Sequence, residues 1–365
     1  KEVYKDMKIS LCMIVKNEED TLGRCLESIK NAVDEIIIVD TGSSDRTKEI
    51  ANIYTDKVYD FIWCDDFSKA RNFAFSKATM DYYMWLDADD IVTKENVEKI
   101  KELKEKNNGV DVYMLKYAID FDENNNTTFW YYRERIIKKC KEAFWEGKVH
   151  EAIVPFGNIE YMDITIEHRK INLQYSDRNL KIYENMEKNR ENFNPREMYY
   201  YGRELFYHSR YKDAINLLKK FIKQKDGWIE NKIDAYKIIA FSYKSMGNNS
   251  KYFKNMIKAN SIDTPRADVC CHIASYFMDK NNFIQSIFWY KNALNCEKDY
   301  DKGGFIQPDY YDYIPYIQLC VCLDKIGKVE EAFEYNKKAG EVKNNSNAVK
   351  FNNEYFNNKL KGGSK

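Results

Sequence analysis

The sequence predicts an α/β domain with a mixed, largely parallel sheet, followed by an all-α domain of repeated helix pairs. Short apolar runs alternate with amphipathic helical stretches in the first part of the chain, the pattern of strands joined by helical crossovers. From about Gln174 onward the pattern is helical throughout, and within it small residues recur in fixed register. A length of 365 residues favours two domains, and a hydrophobic content of 44% is ample for buried cores. The expected division is 1–173 for the α/β domain, 174–193 for a connecting helix and 194–360 for the repeats.

Taken in order, Lys8–Val15 is an apolar run read as a buried strand. Leu22, Cys25, Leu26 and Ile29 then share one face of a helix. Glu35–Val39 is a β-branched strand ending at Asp40, and Thr41-Gly42-Ser43-Ser44-Asp45 turns into the next helix, with Ser44 or Asp45 as its cap. Val58-Tyr59 is a short third strand, and Asp66–Asn72 opens a helix carrying Phe73, Ala74 and Ala78. The strand Tyr83–Leu86 runs into Asp87-Ala88-Asp89-Asp90, and a helix starts near Lys94. Val112–Tyr117, Thr128–Ile137 and a strand ending at His168 complete an α+β pattern, with Asn124–Asn126 as a polar turn.

Composition removes several function classes. Lys+Arg 58 balances Asp+Glu 58, so there is no basic field for nucleic acid or a membrane surface. No run approaches the roughly 18 apolar residues of a membrane span. The segment Lys1–Asp6 lacks the apolar core of a signal peptide, and the expected location is cytoplasmic. The nine cysteines include no Cys-x-x-Cys, which disfavours zinc and fits reduced thiols. The tail Lys361–Lys365 carries no argument.

The chemistry concentrates at strand ends. Asp87 and Asp89, spaced by the small Ala88, are expected on one side of a locally extended chain, an arrangement suited to a divalent cation that also holds a diphosphate. The plainer alternative is that Asp90 or Thr93 caps the following helix. Asn17/Glu18, Asp40 and Asp87/Asp89 all follow parallel strands, at the edge where α/β sheets bind ligands, and Arg71 can lie beside them. Acidic groups, a cation and an arginine together describe a nucleoside-diphosphate site. Neither Gly-x-x-x-x-Gly-Lys-Ser/Thr nor Gly-x-Gly-x-x-Gly occurs, so a P-loop NTPase and a dinucleotide dehydrogenase are disfavoured.

Four ordered blocks carry a resemblance: Ile14-Val15-Lys16-Asn17-Glu18-Glu19, Val39-Asp40-Thr41-Gly42-Ser43-Ser44-Asp45-Arg46-Thr47, Ala70-Arg71-Asn72 and Asp87-Ala88-Asp89. They resemble the family 2 inverting glycosyltransferases of the GT-A fold. The resemblance implies that the first block (Val15, Asn17, Glu18) and the second (Asp40, Ser43) hold the nucleotide base and ribose, and that Arg71 lies near the diphosphate. It implies that Asp87-Ala88-Asp89 is the Asp-x-Asp motif, contacting ribose and a divalent metal, Mn2+ or Mg2+. The implied donor is a UDP-sugar, UDP-hexose or UDP-HexNAc. Similar family members carry a Val-His-Glu after this motif, matched here by Val149-His150-Glu151. Glu151 is then the expected general base, with His150 beside the metal or diphosphate; the alternative makes His150 the base. The expected metal ligands are Asp89, Asp87 and His150, with His168 a second candidate histidine. A surface His150 with Glu151 paired to Lys148 is the alternative without function. Trp130-Tyr131-Tyr132 could stack on a sugar or peptide, although alternation puts half of the run in the core.

In the helical part, Gly202, Ala240, Ala274 and Cys320 occupy one equivalent position. Twelve residues later come Ala214, Tyr252, Ser286 and Ala332, and seven beyond those Phe221, Ala259, Ala293 and Ala339. Leu205, Tyr243, Phe277 and Leu323 supply the large neighbour on the first helix, and a loop is expected over Asp299–Pro308. The register resembles degenerate tetratricopeptide repeats, which use small residues for close helix approach and bind peptides or dimerise. Two Pro-Arg steps, Pro195-Arg196 and Pro265-Arg266, precede first helices, and their arginines are either structural or ligand-facing. The whole layout is similar to sublancin-type peptide S-glycosyltransferases. It implies transfer of a sugar to a Cys, Ser or Thr side chain of a peptide or protein, with a possible homodimer through the repeats. A glycan acceptor, an inactive nucleotide-sugar-binding scaffold and a nucleotidyltransferase are the competing readings.

Overall fold

The computed structural model describes residues 6–106, 108–122, 125–171, 177–298 and 306–362. The chain divides into two compact units, Lys1–Asn192 and Phe193–Lys365. The expected 173/174 boundary, most of the Asp299–Pro308 loop and the end of the tail fall outside the described residues. Among the described residues no helix is long and apolar enough to cross a membrane.

The first unit runs β1 (Ile9–Val15), α1 (Leu22–Ile29), β2 (Glu35–Asp40), α2 (Thr47–Tyr54), β3 (Val58–Asp60), α3 (Phe67–Lys77), β4 (Tyr82–Trp85), β5 (Asp90–Ile91), α4 (Lys94–Lys106), β6 (Val112–Phe121), β7 (Thr127–Lys138), β8 (Ile159–His168) and α5 (Arg178–Lys188). The strands form one sheet in the order β3-β2-β1-β4-β7-β6-β8-β5. β1 pairs parallel with β2 and β4, whereas β7 pairs antiparallel with β4 and β6. Both faces are covered, which explains why these strands read as continuous apolar runs. Leu11, Met13 and Met84 pack on one side with Leu26 and Ile100, while Cys12, Val39 and Trp85 pack on the other with Ala74 and Phe75. This alternation follows from the two-residue period of a strand.

Glu35, at the start of β2, ties three segments together below the sheet. Its carboxylate accepts from the Ser10 hydroxyl, from Lys57 Nζ, and from both the backbone N–H and hydroxyl of Thr79, each at 2.8 Å. Burial pushes this carboxyl up, but the hydrogen bonds from Lys57, Ser10 and Thr79 outweigh it and hold it at about 2, below its ordinary 4.5.

The second unit is a run of antiparallel helix pairs, α6 (Pro195–Tyr207) with α7 (Tyr211–Ile222), α8 (Ile229–Ser245) with α9 (Asn249–Ser261), α10 (Ala267–Met278) with α11 (Phe283–Leu294), and α12 (Tyr313–Lys325) with α13 (Val329–Val342), followed by α14 (Asn347–Gly362). The small positions read from the sequence are buried: Ala214, Ala240, Ala274, Ala293, Ala332 and Ala339 are all fully so. The Ser286 hydroxyl donates to Ala274 O at 3.0 Å, joining two equivalent positions across one helix pair. Each first helix ends on a left-handed residue seven after its small position: Ser209 (φ 60°), Gly247 (φ 77°), Asn281 (φ 57°) and Gly327 (φ 82°). That conformation closes the helix and starts the return turn. The described helices thus form a tetratricopeptide-like repeat array. Pro195 opens α6 under a capping box of Asn194 and Glu197. Arg266, in contrast, precedes α10 and pairs with Glu230 and Asp263.

Two stability outcomes follow. Because the folded Glu35 carboxyl sits below its unfolded value, its contribution is complete above about pH 4.5 and is lost as pH falls towards 2. Glu35→Gln should cost on the order of 3 kcal/mol at pH 7. The gap to the parent chain should narrow between pH 4.5 and 2, read by urea unfolding at pH 7 and pH 3. A Cβ at Gly202 would sit 2.6 Å from Leu218 Cγ on α7. Gly202→Ala should therefore lower stability by about 1–3 kcal/mol, measured by thermal unfolding.

Candidate active site

β1, β2 and β4 run parallel, so the segments after them converge at one edge of the sheet. The chain does not stay extended through Asp87-Ala88-Asp89 as the sequence suggested. Asp90 N–H donates to Asp87 O at 3.0 Å, and Asp87 N–H donates to Asp90 Oδ2 at 2.9 Å, closing a tight turn. The turn sends the two carboxylates to different partners. Asp87 Oδ1 lies 2.8 Å from Arg71 Nη2, and Asp89 Oδ1 lies 3.1 Å from His168 Nδ1. Asp90 does not cap the next helix. It is fully buried, 3.1 Å from Arg135 Nη1, and accepts from the Tyr117 hydroxyl at 3.1 Å. Thr93 supplies the cap, its hydroxyl oxygen accepting from the Asn96 backbone N–H at 3.4 Å and also from Asn96 Nδ2 at 2.8 Å.

Arg71 enters from α3, whose first turn is capped by Asp66 accepting from Lys69 N–H at 3.1 Å. Its guanidinium lies beside the edge-to-face pair of Trp85 and Trp145, 5.1 and 4.8 Å from their ring centroids. Nε donates to Glu151 Oε1 at 2.6 Å, Nη2 donates to Asp87, and the buried Nη1 has no hydrogen-bond partner. Burial opposes the charge, but Glu151 and Asp87 more than offset it, and the guanidinium is held cationic. Asn72 pins the neighbouring loop by exchanging two hydrogen bonds with the Trp145 backbone, at 2.8 and 2.9 Å.

That loop carries His150 and Glu151. Glu146 and Ala152 exchange backbone hydrogen bonds at 3.0 and 3.1 Å, and the chain between them reverses through Gly147 (φ 96°) and His150 (φ 52°). Lys148 pairs with Glu191 at 2.7 Å, whereas Glu151 pairs with Arg71.

A cavity of about 360 Å3 opens over these groups. Val15, Glu18, Arg71, Asp87, Ala88, Asp89, His150 and Glu151 line it; Asn17, Asp40 and Ser43 do not. The latter three join the loops behind it. Asn17, left-handed at φ 54°, donates its N–H to Ser43 Oγ at 2.9 Å and accepts from Ser44 N–H at 2.8 Å. Asp40 Oδ1 accepts from Gly42 and Ser43 N–H, each at 2.9 Å, while its buried Oδ2 has no partner. The cavity wall also includes Arg133 and Arg178, which no motif singled out, and His168, which the sequence offered only as a second candidate. Arg178 lies on α5, its guanidinium 4.5 Å from the Phe67 ring centroid. The aromatic run of β7 splits as alternation requires: Tyr131 packs on Tyr117, and Trp130 and Tyr132 form an edge-to-face pair on the other side.

The electrostatics suit a cation and an anion together. Burial would raise the Asp87 carboxyl, but Arg71 and Arg135 outweigh it and hold it well below the usual carboxylate range. Burial raises Glu18, helped by Asp89 and Asp87. Burial alone would lower His168, yet its hydrogen bonds to Asp89 and Asp90 raise it to about 9, so the ring is cationic at neutral pH. Among the described residues Asp87, Asp90 and His168 bring ligand atoms within 4.8 Å of one another, a group that does not include His150.

Residues 10–157 match Glycosyl transferase family 2. The chain is 52% identical over 83 residues to TPR repeat-containing protein Synpcc7942_0270 of Synechococcus elongatus, covering 23% of this chain and 21% of that one. It is 29% identical over 146 residues to the SPbeta prophage-derived glycosyltransferase SunS of Bacillus subtilis, covering 39% of this chain and 34% of that one. It is 29% identical over 161 residues to the lipopolysaccharide core biosynthesis glycosyltransferase LpsC of Rhizobium meliloti, covering 42% and 59%. The chain thus spans between a fifth and three fifths of the length of these relatives. With an acidic turn, a buried arginine and a histidine gathered at the open edge of a mixed sheet, residues 10–157 make up a glycosyl transferase family 2 domain.

Proposed function

We propose that this chain is an inverting glycosyltransferase that moves a sugar from UDP-hexose or UDP-HexNAc to a side chain of a peptide or protein. The observation that carries the reading is Arg71, held between Asp87 and Glu151 with one buried N–H free, at a cavity also lined by Asp89 and His168. The match to SunS, itself a glycosyltransferase, supports the transferase part of this reading.

The residues fit a divalent cation. The carboxylates of Asp89 and Asp90 hold a proton on His168 against the effect of burial, so that spot already carries positive charge. Asp87, Asp89 and His168 would hold Mn2+ or Mg2+, which supplies Lewis acidity to a leaving diphosphate when bound. Arg71 places a fixed positive charge against an aromatic wall, where a diphosphate oxygen can take the free Nη1 hydrogen. Glu151 is assigned as the base. One oxygen is anchored by Arg71 at 2.6 Å, and the other takes the proton of the acceptor hydroxyl or thiol. His150, beside it on the same loop, is assigned to the donor side. Val15 and Glu18 line the same cavity and are assigned to the nucleoside end, with Asp40 and Ser43 shaping the loop behind them. The repeat array is assigned to acceptor recognition or to pairing of two copies. LpsC is named for lipopolysaccharide core synthesis, and this favours a glycan acceptor as the second reading.

Donor hydrolysis across a panel of nucleotide sugars, with Mn2+, Mg2+ or chelator, tests the reading. Metal-dependent release of UDP from one donor is expected. No release, together with no nucleotide binding by calorimetry, would move the chain to the scaffold class. Transfer to Cys, Ser and Thr peptides, against lipopolysaccharide core sugars, then separates the two acceptor readings.

Two variants assign the histidines and the base. His168→Asn should weaken Mn2+ binding about 10–100-fold, with His150→Asn within about twofold of the parent chain. The reverse order in a paramagnetic titration would return the metal role to His150. Glu151→Gln should retain donor binding while kcat for transfer falls by about 10²–10⁴-fold. A change confined to KM would remove Glu151 as the base.

A further inference from the structure

The second unit holds its own cavity of about 610 Å3. It sits where the repeat spacing stretches. Ala240 and Ala274 lie 34 residues apart, but Ala274 and Cys320 lie 46 apart, and the longer connection returns through Ile306 and Tyr311, which form one wall. Glu230, near the start of α8, and Phe288, Trp289 and Asn292, on α11, contribute others. Three properties of the lining select its ligand. The first is charge. The carboxylates of Glu230, Asp234, Asp268 and Glu297 outnumber the cations of Lys237 and Arg266, four to two. Both cations are already engaged: Lys237 lies 2.6 Å from Asp268 and 3.2 Å from Asp234, and Arg266 Nη2 donates to Glu230 Oε1. Glu230 is only 8% exposed, yet its Oε2 accepts no hydrogen bond among the described residues. A carboxylate oxygen left open in so enclosed a place favours a charged donor. The second property is aromatic. Phe288 is 56% exposed and meets Trp289 edge to face at 5.6 Å, which leaves a ring face for a cation. The third is a pair of carboxamides. Among the described residues the Asn292 side chain makes no hydrogen bond, and Asn260 uses only its Oδ1, on Cys270 Sγ at 3.6 Å. A carboxamide both donates and accepts, as a peptide main chain does.

We propose that this cavity binds the basic side chain of a peptide, arginine ahead of lysine. The guanidinium donates to Glu230 Oε2, its flat face lies against the aromatic wall, and Asn260 and Asn292 are left for the flanking main chain. Arginine is preferred because its head is planar, more weakly hydrated than an ammonium and able to stack on a ring. The acidic excess of the lining draws the cation in and turns an acidic peptide away. The inference concerns binding by the second unit alone, so it stands or falls separately from sugar transfer.

The test uses the 365-residue chain with acetyl-Gly-Arg-Gly-amide, its Lys and Gln counterparts, and agmatine as the bare side chain. Binding is read by calorimetry and saturation-transfer NMR. The Arg peptide should bind about tenfold more tightly than the Lys peptide, and its affinity should fall as salt is raised. Agmatine should bind about tenfold more weakly than the Arg peptide, for want of main-chain hydrogen bonds. Phe288→Ala and Glu230→Gln should each weaken the Arg peptide about tenfold. Phe288 is exposed, so its variant keeps the fold even where loss of the Arg266 pair loosens Glu230→Gln, and circular dichroism checks both. Equal binding of the Arg and Gln peptides, no binding at millimolar peptide, or parent-like affinity in Phe288→Ala overturns the proposal. Agmatine binding as tightly as the Arg peptide would make the ligand a free amine and overturn the peptide assignment.

Discussion

The buried pair between Asp90 and Arg135 is the constraint on which the candidate site hangs. Both side chains are fully buried, 3.1 Å apart. Two charges so placed recover their lost hydration only with near-complete hydrogen bonding. Asp90 has it. One oxygen takes Arg135 and the Asp87 N–H; the other takes the Tyr117 hydroxyl and lies 3.1 Å from His168 Nδ1. Arg135 is satisfied only at Nη1, which also donates to Trp85 O at 3.0 Å; its buried Nε and Nη2 have no hydrogen-bond partner, and the guanidinium packs instead against the rings of Trp85 (3.6 Å) and Tyr117 (4.2 Å). A single carboxylate thus fixes the end of β4, the acidic turn and the histidine of β8. Losing either partner would strand a buried charge, at a cost of about 3–5 kcal/mol. Asp90 is the anchor that leaves Asp87 and Asp89 free to face the cavity.

This explains which parts of the site were legible in the sequence. The strand ends, the acidic turn, Arg71 and the His150-Glu151 loop could be read because each is a local pattern at a predictable edge. The turn geometry could not, since it depends on Asp90 finding Arg135, 45 residues away. The sequence offered His168 only as a second candidate, and its place beside Asp89 could not be read for the same reason. It reaches the acidic turn because β8 pairs antiparallel with β5, setting His168 opposite Asp90. A motif that stops at Asp89 carries no trace of that pairing. Asn17 and Ser43 show the converse. Their blocks match the pattern, yet their polar atoms are spent on each other's loop.

The fold shows a parallel contrast. The repeats were legible residue by residue, because each small position repeats a local helix-pair contact. Even the left-handed turn residues fall in that register. In the sheet unit, the first strands were legible from apolar runs buried on both faces, but the strand order was not, since β7 and β8 are placed by partners distant in sequence.

The two kinds of architecture also divide the physical burden. In the sheet unit, Trp85 is at once a wall for Arg71, a stacking partner for Arg135 and a hydrogen-bond donor to Glu134 O. A change there propagates to every charged group in the cavity, because the low-dielectric walls that strengthen those charges are the same residues that position them. In the repeat unit each pair answers mainly to its neighbours, so stability is close to a sum of local terms. A constellation of charges that must stay fixed is therefore matched to the non-local sheet, whereas the array tolerates local change.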